Sequence, residues 1–237
     1  MKAPNGKPTN LTERQWLQVR TKAFKEWFGD WENDPANASK VVDENSEPLV
    51  VYHGGAQNIR VFNQNNKRES YDNGNGYFFT SNKEVAKSYS RGEVYSTFLN
   101  IKNPKEYDFE GRDGFNLPTS YSIQAKTFYD PRGDYKTLKE AREAFEKLEN
   151  KGDYHIVFGI TSFDALGEST NEIAGNLAGT NNDGAIIKNV FDVGEDETNT
   201  IKDYADFILE NSIGTDFIVT NPNQIKSATD NVGGFSD

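Results

Sequence analysis

No cysteine occurs among the 237 residues, so disulfide staples and thiolate metal sites are both excluded. Histidine is almost as scarce, with only His53 and His155. A zinc site built from one well-placed imidazole and carboxylates is not expected. Apolar residues make up 35% of the chain. No apolar run approaches the roughly 18 to 20 residues that a membrane span needs. The first ten residues are polar and contain proline, unlike a secretory leader, so a soluble cytoplasmic protein is expected. Basic residues are outnumbered, 26 Lys and Arg against 37 Asp and Glu, for a formal charge of −11. That balance argues against broad electrostatic capture of nucleic acid, which rests on clustered cations neutralising phosphates.

The length suits one large domain, or one domain with a helical appendage, and either buries an adequate core. Thr12-Glu13-Arg14-Gln15 has the form of a capping box, and Trp16, Val19, Ala23 and Trp27 follow at helical spacing. The spacing predicts a helix over 12–28, ended by Gly29. So many aromatics on one short stretch call for burial, so the segment 1–39 is expected to dock on a main domain over 40–237.

From Lys40 the pattern turns to short β runs, 40–42, 48–52 and 76–80, with an Asn-rich loop at 63–75 between the last two. Ser81-Asn82-Lys83-Glu84 reads as a second capping box opening a helix with Val85 and Tyr89 on one face. Further on, strands are expected at 94–101, 154–160, 185–190 and 217–220, with a short run at 224–226. Helices are expected at 120–128, 137–148, 163–177 and 201–210. Strands and helices mix without βαβ regularity, which favours an α+β architecture.

The most informative stretch is Leu49-Val50-Val51-Tyr52-His53-Gly54-Gly55. An apolar strand runs into a histidine and two glycines, which places a titratable ring beside bare backbone. Taken alone, His53 is more often a satisfied core or surface residue than a catalyst, and Tyr89 and Phe78 read first as core. His155 reads as structural.

Three fragments in order change that weighting: Val51-Tyr52-His53-Gly54-Gly55, then Gly76-Tyr77-Phe78-Phe79-Thr80 with Ala86 and Tyr89 behind it, then Asp216-Phe217-Ile218-Val219 running into Asn221-Pro222-Asn223-Gln224-Ile225-Lys226-Ser227-Ala228. The set resembles the diphtheria-toxin-like and poly(ADP-ribose) polymerase-like branch of the ADP-ribosyltransferases. It is most similar to the ADP-ribosyltransferase domain of phage and mobile-element polyvalent proteins. The resemblance implies split antiparallel β-sheets with flanking helices, NAD as co-substrate, no metal, and transfer of ADP-ribose to a macromolecular acceptor. The chain's acidity favours a protein over a nucleic acid as that acceptor.

The resemblance also implies roles. His53 falls where the family's histidine hydrogen-bonds the adenosine ribose, and Gly54 where backbone N–H and C=O clamp the nicotinamide carboxamide. Tyr89 matches the aromatic that stacks on the nicotinamide ring. Phe78 stands where that branch usually has tyrosine, so any contribution of a hydroxyl is lost. Asp216 occupies the place of the catalytic glutamate with one methylene fewer, and Gln224 is the second candidate for that role. Two other functions stay open on these residues: a catalytically inactive NAD- or protein-binding module of the same fold, and a ribonuclease-type effector. One histidine and a strongly negative charge suit the ribonuclease least.

Overall fold

The computed structural model describes residues 1–57, 59, 62, 76–127, 132–192 and 212–229. The loop at 63–75 and the helix expected over 201–210 lie outside them. Helices α1 (Glu13–Gln18) and α2 (Lys22–Phe28) occupy the stretch expected to be one helix. Thr12 closes the anticipated capping box, but Val19 ends α1 and the Thr21 side chain caps a new helix by accepting from Phe24 N. The break turns Val19 inward, where it joins Phe24, Phe28 and Trp31 in one cluster. That cluster packs on Phe98 and Ala228, and the Trp27 indole N–H donates to the Asn223 carbonyl at 2.8 Å.

The main sheet has seven strands: β1 (Val51–Gly55), β2 (Tyr77–Thr80), β3 (Glu93–Leu99), β4 (Pro104–Asp108), β8 (Gly184–Phe191), β9 (Ile213–Val219) and β10 (Ile225–Ser227). Their order is β10-β3-β1-β2-β9-β8-β4. A smaller sheet has the order β6-β5-β7, from β5 (Thr119–Ala125), β6 (Arg132–Tyr135) and β7 (Tyr154–Ile160). Helix α3 (Lys83–Ser88) follows β2, α4 (Leu138–Phe145) precedes β7, and α5 (Thr170–Asn176) precedes β8. The architecture is α+β with split sheets, antiparallel throughout except that β4 runs parallel to β8. No helix among the described residues is long and apolar enough to cross a membrane.

Several expected elements are corrected. The segment read as a helix over 120–128 is strand β5, because Tyr121, Ile123 and Ala125 are buried in alternation. The helix expected over 163–177 begins only at Thr170, after the Ser169 capping box; Phe163 and Leu166 before it are exposed. The 40–42 run makes an isolated bridge, Val42 to Pro48, rather than a strand. At α3 the cap is Asn82, accepting from Glu84 N, while Ser81 Oγ accepts from Thr215 N.

The seven strands fold into two halves with their inner faces together. Val51, Leu99 and Ile225 of the β10-β3-β1 half meet Tyr77, Phe79, Ile186, Phe217 and Val219 of the β2-β9-β8-β4 half in one core. The outer face of the second half carries Phe78, Ala185, Ile187, Val190 and Ile218 beneath Ile173 and Ala174 of α5. The hinge between the halves is the junction of β1 with β2, and it positions everything that follows.

Candidate active site

At the hinge β1 and β2 share a single rung, Tyr52 opposite Thr80, whereas β1 pairs with β3 along its whole length. Beyond that rung the two strands part and leave a fork. Backbone alternation fixes which groups face it. Ala228 N donates to Ser96 O at 2.8 Å, so Ser96 turns its backbone toward β10, and its neighbours Tyr95 and Thr97 turn theirs toward β1. Their partners His53 and Val51 therefore bond with β3, and Gly54 points its N–H and C=O toward β2, into the fork.

The carbonyl of Phe78, which would meet Gly54 in a closed sheet, receives the His53 ring instead, with Nδ1 at 2.7 Å. A carbonyl only accepts, so Nδ1 carries the proton and Nε2 keeps its lone pair. The ring sits on the inner face, with ring centroids 5.2 Å from Phe62, 5.3 Å from Phe79 and 6.4 Å from Tyr95. Burial pushes its pKa below the ordinary histidine value, against a smaller opposing effect of the Phe78 carbonyl. The neutral imidazole is therefore a fixed hydrogen-bond acceptor at the mouth of the fork. Tyr95 also ties down the chain that leaves β1: its hydroxyl accepts from Ile59 N at 2.8 Å and donates to Ala56 O at 2.6 Å.

Gly54 turns its missing side chain to the outer face, under α3. A Cβ there would stand 1.9 Å from the Ala86 carbonyl oxygen and 2.9 Å from Ser90 N. Backbone lies on that side, and no side chain swings away. Gly54→Ala is accordingly expected to cost about 3 kcal/mol in stability, read by urea denaturation, because the helix must lift from the strand. A variant as stable as the parent would show that α3 is not seated on β1.

The outer face also holds the acid. Asp216 on β9 stands opposite Thr80 on β2, which stands opposite Tyr52 on β1. At the usual strand spacing the carboxylate strand lies about 10 Å from β1. Asp216 is 5% exposed, and its pKa is raised well above the ordinary aspartate value, first by burial and then by the charge of Asp192; a hydrogen bond from Thr80 acts in the opposite sense. Tyr89 follows α3, is 41% exposed, and its hydroxyl donates to Asp192 Oδ1.

Gly54, Thr80, Tyr89 and Asp216 thus share the outer side of the hinge, and His53 reaches the same fork from the inner side. Phe78 is on the outer face but half-buried against the cluster under α5, and β2 shows no bulge that would exchange it with Tyr77. Gln224 is elsewhere: its Nε2 donates to Asn100 O at 2.9 Å and Asp183 O at 2.6 Å, and its Oε1 accepts from Asn221 N at 3.2 Å. Those bonds strap the two half-sheets together away from the fork. His155 lies in the smaller sheet opposite Gln124. Asp192 is the residue that sequence reasoning missed. Among the described residues no group of His, Cys, Asp and Glu is arranged to hold a metal ion.

Residues 43–235 match the family model described as ADP-ribosyltransferase in polyvalent proteins. No curated protein and no solved structure matches the chain.

Proposed function

The chain belongs to the ADP-ribosyltransferase family of polyvalent proteins, whose chemistry is ADP-ribosyl transfer, and on that premise we propose that it cleaves the nicotinamide–ribose bond of NAD and passes ADP-ribose to a protein acceptor. The observation that carries this reading is the fork: one glycine with its backbone N–H and C=O directed into a gap between parted strands, a neutral imidazole beside it and a carboxylate two strands away.

A primary carboxamide is a planar donor and acceptor pair, complementary to the paired N–H and C=O of Gly54. The lone pair on His53 Nε2 suits a ribose hydroxyl. Tyr89 offers a ring face for a flat heterocycle, and its hydroxyl bond to Asp192 fixes the ring's direction. Cleavage at the anomeric carbon develops positive charge on the sugar. A carboxylate held in a water-poor wall stabilises that charge most when it is ionised. The position of Asp216 opposite Thr80 supports that role, and its raised pKa makes ionisation the controlling variable. The formal charge of −11 supports a protein acceptor over nucleic acid.

The test is incubation with NAD labelled in the adenylate, together with a cell lysate, followed by measurement of free nicotinamide and of label in protein. Nicotinamide release and labelled protein are expected. Tight NAD binding by calorimetry with neither product would select the binding-only reading, which the upward shift of the Asp216 pKa by burial favours. No binding and no release would defeat both readings.

A further inference from the structure

Asp192 has no place in any motif of the sequence, yet three features of the fold bring it to the site. First, β8 and β9 change register between Ile187 and Val190, so one extra residue is inserted in β8, and Asn189 takes the left-handed conformation there with φ 53°. The insertion reverses the alternation: Ile187 and Val190 both pack on the outer cluster. Asp192, two positions beyond Val190, therefore falls on the outer side with Asp216, whereas an unbroken strand would turn it inward. Second, Asp192 N donates to Ser212 O at 2.9 Å, which holds its backbone beside the start of β9. Third, its Oδ1 accepts from the Tyr89 hydroxyl, across 103 residues of sequence.

We propose that Asp192 is a positioning residue of the transferase site, brought to the outer face by the inserted residue in β8 and holding the Tyr89 ring in its stacking orientation through the hydroxyl bond. The inference rests on the NAD-cleaving reading above and adds a residue to it. Asp192 touches neither the ribose nor the nicotinamide; it acts through Tyr89.

Thr80 on β2 donates to Asp216 and Asp192 beyond β8 repels it. Tyr89 at the end of α3 is bound to Asp192, and Lys83 at the start of α3 has its ammonium 6.0 Å from the Tyr52 ring on β1. The charge that acts on Asp216 is the like charge of Asp192. Its removal favours the ionised form of Asp216 and moves the acidic limb of the rate profile to lower pH.

The experiment measures nicotinamide release against NAD concentration and pH for the full chain and three variants. Asp192→Ala removes both bond and charge; KM is expected to rise about tenfold, the worth of one lost hydrogen bond, with the acidic limb displaced to lower pH. Asp192→Asn keeps an oxygen for the Tyr89 hydroxyl, so KM should return to within about twofold of the parent while the displaced limb remains. Tyr89→Phe breaks the bond without touching β8 and should raise KM with the limb unmoved. That separation of KM from pH dependence is what a merely structural role would not produce. Parent-like KM and pH profile in Asp192→Ala would overturn the inference while leaving the NAD-cleaving reading intact. If Asp192→Ala does not fold, a Tyr89→Phe variant with parent KM overturns it equally. A parent chain inert toward NAD would overturn the functional reading, and this inference with it.

Discussion

Asp216→Asn is expected to lower nicotinamide release by about two to three orders of magnitude, the usual loss when fixed charge stabilisation is removed from a transition state. The same substitution should raise the free energy of unfolding at pH 7 by about 1 to 2 kcal/mol. The opposition follows from where the carboxyl sits. Burial first, and the charge of Asp192 second, raise its pKa above the ordinary aspartate value. The folded state thus holds the proton more tightly than the unfolded chain does. The carboxyl's contribution to stability is complete below the ordinary aspartate pKa, and it is lost as pH climbs from there through the folded value. An amide of the same shape has no proton to lose, so the variant's advantage should be present at pH 7 and close below about pH 4. Urea denaturation at both pH values, set beside nicotinamide release, checks the pair of effects. A variant less stable than the parent at pH 7, or one turning over at the parent rate, would remove Asp216 from the role assigned to it.

The strands that build the hinge were legible because their signals are local. Val51 to Gly55 and Tyr77 to Thr80 announce themselves by apolar and aromatic runs ended by glycine or a helix cap; the second lies within one residue of the expected bounds, and the first is displaced by three residues toward the glycines. Elements that depend on tertiary partners were less so. Locally, the residues of β5 do not declare a strand, since Ser120, Ser122 and Gln124 dilute its apolar positions; its identity is decided by pairing with β7 along all seven residues. The interruption at Arg20 and Thr21 hides inside a helical spacing, since Val19 and Trp27 remain in phase on either side of it.

At the site, alternation along β1 and β2 tells which side each residue faces but not that the strands separate. The fork is a long-range event: β1 keeps β3 as its partner while β2 turns to β9. Asp192 is harder still. Its face is set by a single inserted residue in β8, and its partner Tyr89 lies 103 residues away, so nothing near it in sequence marks it. Gln224 shows the converse. A motif position nominated it, and its hydrogen bonds are spent on the carbonyls of Asn100 and Asp183.

The largest combined effect belongs to His53, where binding and architecture share one ring. His53→Ala deletes the group that fills the space among Phe62, Phe79 and Tyr95 and leaves the Phe78 carbonyl without its donor. A stability loss of about 3 kcal/mol is expected from the cavity and the orphaned carbonyl together. With the gap free to change width, Gly54 is displaced relative to Asp216, and kcat/KM for NAD should fall about a hundredfold, the cost of a misplacement on the order of 1 Å. His53→Gln separates the two roles, since its amide can still donate to Phe78 but cannot reproduce the placement of Nε2: stability should largely return and activity should not. The pH dependence gives an independent check. Burial lowers the folded pKa of His53, so the stability it contributes is complete above its ordinary value of about 6.5 and is lost as pH falls from there. Glutamine has no such titration, so the parent's advantage over His53→Gln should narrow between pH 8 and pH 5. Recovery of nicotinamide release in His53→Gln would reduce the imidazole to a wedge between strands; a parent-like stability in His53→Ala would mean that the fork is held open by something other than this ring.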